Sequence, residues 1–559
     1  MTPRNWARLR QLSPASAQRS TDASLRSRSP GHDDRVAWPR DGQAGQRPAR
    51  SPAVGDEAAR PGRRFVTSSV LIVGAGPVGL TLASELARYG VPLRLVDRAP
   101  QRTDQSRALV LWSRTLELLD RGAAGGAAPF VAAGFRIAGV SVLAGETVVG
   151  RVTMDAVPSA HAYALALPQS ETERLLEERL AGQGVAVERR TAADAVTVGP
   201  DGVAAVLRHA DGREERVRAD WLVGCDGAHS TVRHALGLPF AGETLPSDWI
   251  LADLHMTGYP RPDTEASVHW HRDGVLLIFP IRPGRYRIIA DTPQTDAEAA
   301  PAPTLDDVRR LVDRRGPAGT RLSDPVWLAG FRINGRKVAA YRQGRAFLAG
   351  DAAHIHSPAG GQGMNTGMQD AVNLAWKLAL VAHGRADAAL LDSYSPERSR
   401  VGDDVLKAAE RLTRVATLTN PIAQGVRNAV ARLVLGLPRL AHGIADTMAE
   451  VAIHYGASPL NGPGVTGWLR PGARVPPVPG QVPVGAGPAP RFVLFAEPSA
   501  AVAALPQAFA GLVDPEIRPA LHNGTVALVR PDGYLACATP DPAAVAGYLA
   551  RLAAPDRMD

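Results

Sequence analysis

The chain has 559 residues, of which 45% are hydrophobic and 21% charged, a composition typical of a globular protein of about three or four domains. No stretch approaches the roughly 18 uninterrupted apolar residues of a membrane-spanning helix, which argues against an integral membrane protein. The two cysteines, Cys225 and Cys537, exclude a disulfide scaffold and an all-cysteine metal or iron–sulfur site. We therefore expect no metal centre and a reducing, cytoplasmic location.

The positive charge is concentrated in one segment. The formal net charge is +8, and residues 1–64 contain 13 arginines and 6 acidic residues, a balance of +7 that leaves +1 for the other 495 residues. Nucleic-acid binding requires clustered positive charge on the folded part of a protein, so the sequence argues against such a partner. Residues 1–64 also lack apolar periodicity and are predicted to be a disordered extension.

The first predicted folded unit is a strand, a helix and a second strand. The strands cover residues 69–73 and 93–96, and the helix covers residues 80–89 and ends before Gly90. This order over about 30 residues is typical of a βαβ unit in a parallel sheet. The apolar strands of such a sheet are buried on both faces.

A glycine-rich turn joins the first strand of this unit to its helix. In the G-x-G-x-x-G pattern, Gly74 permits a tight turn, Gly76 lets a pyrophosphate approach the backbone, and Gly79 lets helix and strand pack closely. The helix N-terminus attracts phosphate groups, and Asp97, which ends the second strand, can accept hydrogen bonds from a ribose. The pattern predicts a dinucleotide site but does not choose between FAD and NAD.

Two further segments each contain an apolar strand that ends at a glycine–aspartate pair. The segment WLVGCDGAHSTVR contains Asp226 and Gly227, and the segment AFLAGDAAH contains Gly350 and Asp351. An acid at the carboxyl end of a parallel strand can contact a polyhydroxyl chain in the crevice of the sheet. These motifs, in this order, favour FAD.

A loop with almost no side chains follows the third motif. It contains Pro358, Gly360, Gly361 and Gly363, and it leads directly into an amphipathic helix predicted over 364–383. Glycines let a flat ring approach the backbone, and a helix N-terminus stabilises the negative charge of a reduced flavin. We therefore predict that this loop faces the flavin ring.

The remaining pattern divides the chain into further segments. Residues 245–334 are strand-rich and are expected to form a β-sheet substrate domain, inserted into a discontinuous FAD-binding domain of residues 65–244 and 335–400. A helical segment and linker over 401–470 and a small α/β unit over 471–559 follow. The predicted fold class is therefore α/β, with a Rossmann-like FAD-binding domain.

With these motifs in order, the sequence resembles the group A flavoprotein monooxygenases, the para-hydroxybenzoate hydroxylase-like family, over roughly residues 68–400. It is most similar to the aromatic polyketide hydroxylases, the substituted-phenol hydroxylases and the rifampicin monooxygenases, which it resembles at PQSETERLLEE and LLDSYSPER. The resemblance implies a thioredoxin-like C-terminal domain. Because Cys537 is the only cysteine there, we expect no thiol exchange in that domain.

The resemblance also implies roles for individual residues around a non-covalently bound FAD. Asp97 and the glycine turn would bind the ADP part, Arg107 and Gln169 would contact FAD, and Asp351 would hold the ribityl chain. The Asp226–Gly227 element would serve both FAD and NADPH. The expected cofactor contacts are Gly74, Gly76, Pro77, Val78, Gly79, Asp97, Arg98, Arg107, Gln169, Asp226, Gly227, Gly350, Asp351, Pro358, Gly361, Gly363, Met364 and Asn365. No catalytic side chain is identified beyond the flavin-facing loop of Pro358, Gly360 and Gly361.

The family chemistry implied by the resemblance is aromatic hydroxylation, as in antibiotic biosynthesis. NAD(P)H would reduce FAD, O2 would add to form a flavin C4a-hydroperoxide, and its distal oxygen would pass to a phenolic or polyketide-type ring. A Baeyer–Villiger-type or antibiotic-modifying oxygenase is the alternative within enzymes, and a flavin-binding assembly protein is the non-enzyme alternative. We expect a small aromatic substrate, no stable membrane association and a possible homodimer.

Several single residues have an ordinary structural interpretation. His354 and His356 are expected to pack and to form hydrogen bonds, and Lys377 to form a surface or interdomain salt bridge. The apolar positions of the helical run 421–455, Val426, Val430, Leu433 and Leu437, favour core packing over a dimer or membrane-surface face. For Trp270 and Phe279, the sequence leaves open whether they line an aromatic pocket or only pack within a sheet.

Overall fold

The computed structural model describes residues 66–103, 108–122, 125–297, 300–358 and 360–554. The predicted extension 1–64 and Arg107 lie outside the described residues. Within the described ranges, no helix is both long enough and apolar enough to cross a membrane.

The first part of the chain builds most of a mixed sheet. Its elements are β1 (Val66–Val73), α1 (Pro77–Arg88), β2 (Leu93–Val96), β3 (Val110–Leu111), α2 (Ser113–Asp120), α3 (Ala128–Ala133), β4 (Phe135–Ile137), β5 (Gly139–Ala144), β6 (Thr147–Thr153), β7 (Ala164–Ala166), α4 (Gln169–Gly182), β8 (Val187–Glu188), β9 (Thr191–Val198), β10 (Val203–His209) and β11 (Glu214–Gly224). The predicted βαβ unit is confirmed as β1, α1 and β2, and β1 pairs in parallel with both β2 and β11.

The next part of the chain adds a second sheet and the last strands of the first. Its elements are α5 (Thr231–Ala235), β12 (Ala241–Thr257), β13 (Glu265–His271), β14 (Gly274–Arg282), β15 (Arg285–Thr292), α6 (Leu305–Arg315), β16 (Arg321–Lys337), β17 (Arg342–Gln343), β18 (Ala346–Leu348) and β19 (His354–Ile355). The first sheet has the order β17-β18-β11-β1-β2-β8; in addition, β10 pairs with β11, and β9 pairs with β10. Its strands β18, β11, β1, β2 and β8 run parallel.

The second sheet has the order β19-β16-β12-β15-β14-β13-β5-β6. The structure differs here from the sequence-based division, which places the β5–β6 hairpin with residues 65–244. β5 pairs in parallel with β13, with Gly139 opposite Glu265. Because the backbone partners of β5 lie about 125 residues further along the chain, the inserted sheet draws strands from both sides of residue 244.

Helices dominate the following segment. They are α7 (Gly363–Ala382), α8 (Tyr394–Ala416), α9 (Pro421–Gly436) and α10 (Pro438–Met448), preceded and separated by the short 3-10 helices Gly350–Ala352 and Ala388–Ser393. The predicted helix over 364–383 is confirmed as α7, whose residues 365–380 are all buried. The expectation of core packing for the run 421–455 is wrong for its named positions, because Val426, Val430, Leu433 and Leu437 are exposed.

The C-terminal part forms a separate small sheet. Its elements are β20 (Phe492–Phe495), α11 (Ala500–Ala508), β21 (Val513–Arg518), β22 (Val526–Val529), β23 (Leu535–Thr539) and α12 (Pro542–Leu552). The strand order is β21-β20-β22-β23, in which only the β20–β21 pair is parallel.

One hydrophobic core joins the first sheet, α7 and the C-terminal sheet. Trp376 of α7 is fully buried and packs edge-on against Phe492 of β20, with ring centroids 5.7 Å apart. Large buried aromatic side chains contribute much of the stability of a core. The C-terminal sheet therefore packs against α7, the helix that follows the predicted flavin-facing loop.

Candidate functional site

The three sequence motifs meet at one edge of the first sheet. Val73 lies opposite both Val96 and Gly224, and Gly224 lies opposite Leu348, so β1, β2, β11 and β18 end side by side. The backbone continues this pairing: the N–H of Cys225 donates to the carbonyl of Val73 at 2.7 Å. The carboxyl edge of a parallel sheet is where such folds bind ligands.

The glycine turn combines close packing with an open face. Gly74 has a φ of 101°, and a Cβ at Gly74 would collide with the carbonyl of Cys225, while one at Gly79 would collide with the carbonyl of Gly74. A Cβ at Gly76, by contrast, would have no heavy atom within 4 Å. Helix α1 begins at Pro77 with neither a side-chain cap nor an acidic residue in its first turn. An open backbone beside an uncapped helix N-terminus fits a pyrophosphate.

Asp97 is fixed in place at the end of β2. Its carboxylate accepts hydrogen bonds from the backbone N–H groups of Ala75 at 2.6 Å and Ala99 at 2.7 Å. The neighbouring Arg98 is exposed. The acid therefore lies directly against the glycine turn, as a ribose-binding acid must.

Asp226 caps a helix. It accepts hydrogen bonds from Ser230 Oγ at 2.5 Å and from the backbone N–H groups of Thr231 at 2.7 Å and Val232 at 3.2 Å. These contacts stabilise the start of α5, and Gly227 follows with a φ of 80°. Asp226, an expected cofactor contact, therefore also stabilises the turn in which it lies.

The third motif brings α1 and α7 into close contact. Gly350 has a φ of 60°, and a Cβ there would lie 2.7 Å from Val78 Cγ2. A Cβ at Gly367 would lie 3.0 Å from Gly350 Cα. Asp351 is exposed at this edge of the sheet. The absence of side chains at these glycines lets α7 begin beside the glycine turn.

The predicted flavin-facing loop is held by hydrogen bonds within the loop and from Trp112. The N–H of Gly361 donates to the carbonyl of Pro358 at 2.9 Å, and the indole N–H of Trp112 donates to the carbonyl of Gly360 at 3.1 Å. Gly360 and Gly361 have φ values of 91° and 63°. Helix α7 begins at Gly363 without a side-chain cap or an acidic residue in its first turn, which fits an electron-rich group.

Asn365, in the first turn of α7, holds this loop through its side chain. Its amide donates to the carbonyls of Val110 at 2.8 Å and Gly361 at 3.1 Å, and its Oδ1 accepts from the N–H of Trp112 at 2.9 Å. The side chain is fully buried. These hydrogen bonds engage the Asn365 side chain within the protein, and Met364 beside it packs against the core.

Gln169 lies beside the segment that contains Arg107. Its Oε1 accepts from the N–H of Ala108 at 3.3 Å, and its Nε2 donates to Glu173 at 2.9 Å. The structure places Gln169 at the start of α4. Its contact with Ala108 is consistent with a shared role for the two segments, although Arg107 lies outside the described residues.

Comparison with known proteins agrees with this geometry. A family model described as FAD binding domain matches residues 67–409. The chain belongs to the family of FAD-dependent aromatic hydroxylases. The resemblance found in the sequence is thereby confirmed, and the chain is an FAD-dependent monooxygenase of mixed α/β fold.

The relatives of this hydroxylase include enzymes that act on polyketides. It is 42% identical over 418 residues to 6-methylpretetramide 4-monooxygenase of Streptomyces rimosus, covering 72% of this chain and 73% of that one. The OxyS anhydrotetracycline hydroxylase structure from Streptomyces rimosus has 30% identity and a TM-score of 0.70, covering 88% and 100% of the two chains. The structure of the Diels–Alderase PyrE3 of pyrroindomycin biosynthesis has 29% identity and a TM-score of 0.70, covering 87% and 100%.

Buried ion pairs hold α7, the helix that follows the predicted flavin-facing loop. Asp370 of α7 accepts from Arg398 Nε at 2.6 Å and pairs with His354 Nε2 at 2.8 Å. Lys377 pairs with Glu397 at 2.8 Å, and both side chains are fully buried. The expected hydrogen bonding of His354 is confirmed, whereas the alternative of a surface salt bridge for Lys377 is wrong because the C-terminal sheet covers it.

Glu450 is a site-flanking residue that the sequence analysis does not identify. It follows α10, has a φ of 59°, and accepts hydrogen bonds from Thr366 Oγ1 at 3.1 Å and from Gln369 Nε2. Burial raises the pKa of Glu450 to about 8. Its partners lie more than 80 residues earlier in the chain, so no local pattern could reveal it.

Burial also affects His356, which precedes the predicted flavin-facing loop. Its Nδ1 lies 2.7 Å from the carbonyl of Ser357, and burial lowers the pKa of His356 to about 4. The imidazole is therefore neutral near pH 7. Among the described residues, no group of three or more His, Cys, Asp and Glu side chains could hold a metal ion.

Proposed function

We propose that this hydroxylase uses NAD(P)H and O2 to insert one oxygen atom into an aromatic ring of a phenolic or polyketide-type substrate. The observation that carries the proposal is the meeting of the three motifs with the uncapped start of α7 at one sheet edge. The polyketide monooxygenases among its relatives support this substrate class.

Each part of the site has a distinct task in this proposal. The bound flavin supplies the activation of O2. Asp97 and the backbone around Gly76 bind the ADP part, and Asp351 meets the ribityl chain. The backbone of Gly360 and Gly361 would receive the ring, and the N-terminus of α7 would stabilise negative charge on it.

An apolar cluster beside the loop is suited to the substrate. It contains Val110, Trp112 and Ile281, with Phe279 partly buried against it. Met448 of α10 packs against the same cluster, so the second sheet and the helical segment enclose apolar side chains next to the loop. Apolar side chains beside the loop would exclude water from a reactive oxygen donor. Trp270 does not belong to this cluster; it packs beneath Arg427, 4.2 Å from the ring centroid.

The two large sheets and the small C-terminal sheet also suggest how the chain divides into domains. We propose that residues 65–244 and 335–400 form the FAD-binding domain and that the second sheet, extended by the β5–β6 hairpin, binds substrate. We propose a thioredoxin-like fold for residues 471–559, supported by the strand order and by the single parallel pair of that sheet. Both Cys225 and Cys537 are buried and unpaired, which suits the cytoplasm; a homodimer stays a prediction.

One relative favours a second candidate function. The Diels–Alderase PyrE3 has a similar fold, so the site of this chain could instead catalyse a reaction without net oxidation. A Baeyer–Villiger-type oxygenase would insert oxygen beside a carbonyl carbon instead of hydroxylating a ring. The three candidates differ in whether NADPH is consumed and in the product.

The test is turnover by the FAD-loaded protein with a panel of phenols and polycyclic aromatic polyketides. We expect one member to stimulate NADPH or NADH oxidation and to gain one oxygen atom from 18O2 on its ring, measured by mass spectrometry. A product of unchanged mass without nicotinamide oxidation would instead support the cyclisation chemistry. Conversion of a ring ketone to a lactone that carries the added oxygen would support the Baeyer–Villiger alternative.

The loop assignment has its own test, Gly361→Val. A Cβ at Gly361 meets only ordinary contacts in the protein, the nearest being 3.7 Å away at Val110, so a side chain there should chiefly obstruct the ring. We expect weakened FAD binding, or NADPH oxidation uncoupled from product. Gly384→Val is the matched control, because Gly384 has the same φ of 63° and no neighbour within 4 Å. Normal FAD content and coupling in Gly361→Val would refute the assignment.

A further inference from the structure

An exposed apolar surface covers the end of α8, α9 and the start of α10. Its members share large aliphatic side chains and exposed fractions from 41% at Val415 to 79% at Ile422. We call this surface the apolar face; it consists of Leu412, Val415, Ile422, Val426, Val430, Leu433, Leu437 and Leu440. Contiguous exposed apolar patches on soluble proteins mark interaction sites.

The apolar face is the outer side of a helix that is anchored on its inner side. Ile422, Val426, Val430 and Leu433 follow the spacing of one helical stripe. On the opposite side of α9, Arg427 is buried over the Trp270 ring and donates to the carbonyl of Val415 at 3.2 Å. Helix α9 therefore cannot bury the stripe by rolling without breaking these contacts.

Several arginines stand next to members of the apolar face in the sequence. Arg411, Arg414, Arg432 and Arg439 are exposed, and each immediately precedes one of its members. Residues 411–445 contain no aspartate or glutamate. Arg414 pairs with Glu410, whereas Arg411, Arg432 and Arg439 form no ion pair with another residue in the part of the chain that the structure describes. The segments that carry the apolar face therefore also carry exposed positive charge and, over residues 411–445, no negative charge.

This charge distribution favours an anionic membrane over a second copy of the chain as the partner of the apolar face. A second copy docked by two-fold symmetry would place the same patch against itself. It would bring the arginines of both copies together without an acid from residues 411–445 to pair with them. An anionic bilayer matches both features, because aliphatic side chains enter the headgroup region while arginine heads reach lipid phosphates. We propose that the apolar face docks the hydroxylase peripherally and reversibly on anionic lipid membranes.

The proposal is independent of the reaction. It requires no membrane-spanning helix, because an amphipathic helix lies in the plane of the bilayer surface. A membrane location would also be useful to the enzyme, because apolar aromatic compounds partition into lipid and the inner side of α9 and α10 flanks the apolar cluster beside Trp112.

The test is co-sedimentation of the FAD-loaded protein with phosphatidylcholine vesicles, with and without phosphatidylglycerol, at low and at high ionic strength. We expect binding only to the anionic vesicles and loss of binding at high salt. Val430→Glu/Leu433→Glu and, separately, Arg432→Gln/Arg439→Gln should each weaken binding roughly tenfold or more. Val326→Glu is the matched control, because Val326 is 66% exposed but lies outside the apolar face.

Flavin absorbance and circular dichroism establish that each variant is folded, and light scattering gives its oligomeric state. Absence of binding by the wild-type protein overturns the proposal, as does binding that phosphatidylcholine alone supports equally. A dimer that Val430→Glu/Leu433→Glu dissociates, with no vesicle binding, would assign the apolar face to a second copy instead. Unchanged NADPH oxidation in the variants would show that the surface acts separately from the proposed reaction.

Discussion

At the scale of single residues, the most consequential contact is a carboxyl group beside the start of α7. Glu450 is only 1% exposed, and its side chain meets Thr366 and Gln369 in the first two turns of that helix. Gln362 Nε2 donates to the carbonyl of Thr447 at 2.9 Å, so the end of α10 and Glu450 after it contact both the predicted flavin-facing loop and the start of α7. A charge at Glu450 would lie beside the first two turns of α7.

We predict that Glu450 makes the stability of the protein depend on pH. Burial raises the pKa of Glu450 from 4.5 to about 8, so between these values the native state keeps a proton that the unfolded chain releases. The free energy of unfolding should therefore fall as pH rises through this window, with a slope of at most about 1.4 kcal/mol per pH unit from this group.

Glu450→Gln should remove this contribution, because an amide does not titrate. Urea denaturation of wild type and variant at several pH values across the window measures the difference in slope. Glu410→Gln, at a half-exposed surface position, is the control and should leave the slope unchanged. A variant with the slope of the wild type would mean that Glu450 is ionised in the native protein.

At the scale of elements, α7 is held between the first sheet and the C-terminal sheet. Glu397 of α8 pairs with Lys377 of α7 at 2.8 Å and with Arg530 Nη1 at 2.6 Å. Arg530 also pairs with Asp532 at 2.7 Å, and all four side chains are buried. Buried charges persist only when they are paired, so this cluster fixes the relative positions of its elements.

Arg530→Met should destabilise the protein by about 3–5 kcal/mol, because it leaves Glu397 and Asp532 buried with too little positive charge. Urea denaturation measures the loss. Arg309→Met removes an exposed pair with Asp306 and should cost at most about 1 kcal/mol. Equal effects of the two substitutions would show that the buried cluster contributes little.

At the scale of the whole molecule, the shared core predicts cooperative unfolding. The hydrophobic cluster of the first sheet contains Trp376 of α7 together with Phe492, Cys537 and Tyr548 of the C-terminal part. A segment that shares its core with the FAD-binding sheet should unfold with it. We therefore expect residues 471–559 to respond to FAD even though no sequence motif places them at the cofactor.

Adding FAD to the flavin-free protein should raise Tm in one transition. Binding at a hundredfold excess over Kd stabilises the native state by about 2.7 kcal/mol. FMN is the control: it lacks the adenylate that the glycine turn would hold, so it should raise Tm less. Trp468 precedes the C-terminal unit but packs against its sheet, with its ring 5.4 Å from that of His522. The fluorescence of this tryptophan is the difference between the signals of the wild type and of Trp468→Phe. A separate, FAD-independent transition of that signal would contradict the shared core.

The sequence by itself determined the features that depend on neighbours close in the chain. The turn from Gly74 to Gly79, the strand ending at Asp97 and the helix that became α7 follow from spacing and residue type, because glycine conformations and helical periodicity act over a few residues. The sequence also placed each motif at the end of an apolar strand, and the parallel pairing of these strands brings the motifs to one edge of the sheet.

Only the tertiary structure decided which distant segments meet. It paired β5 with β13, covered Lys377, placed Glu450 against α7 and left the stripe of α9 exposed. An apolar stripe predicts that a helix has one face to bury, but the partner, or its absence, depends on packing between elements far apart in the chain. Burial likewise sets the pKa of Glu450, because desolvation depends on the three-dimensional surroundings and not on the adjoining sequence.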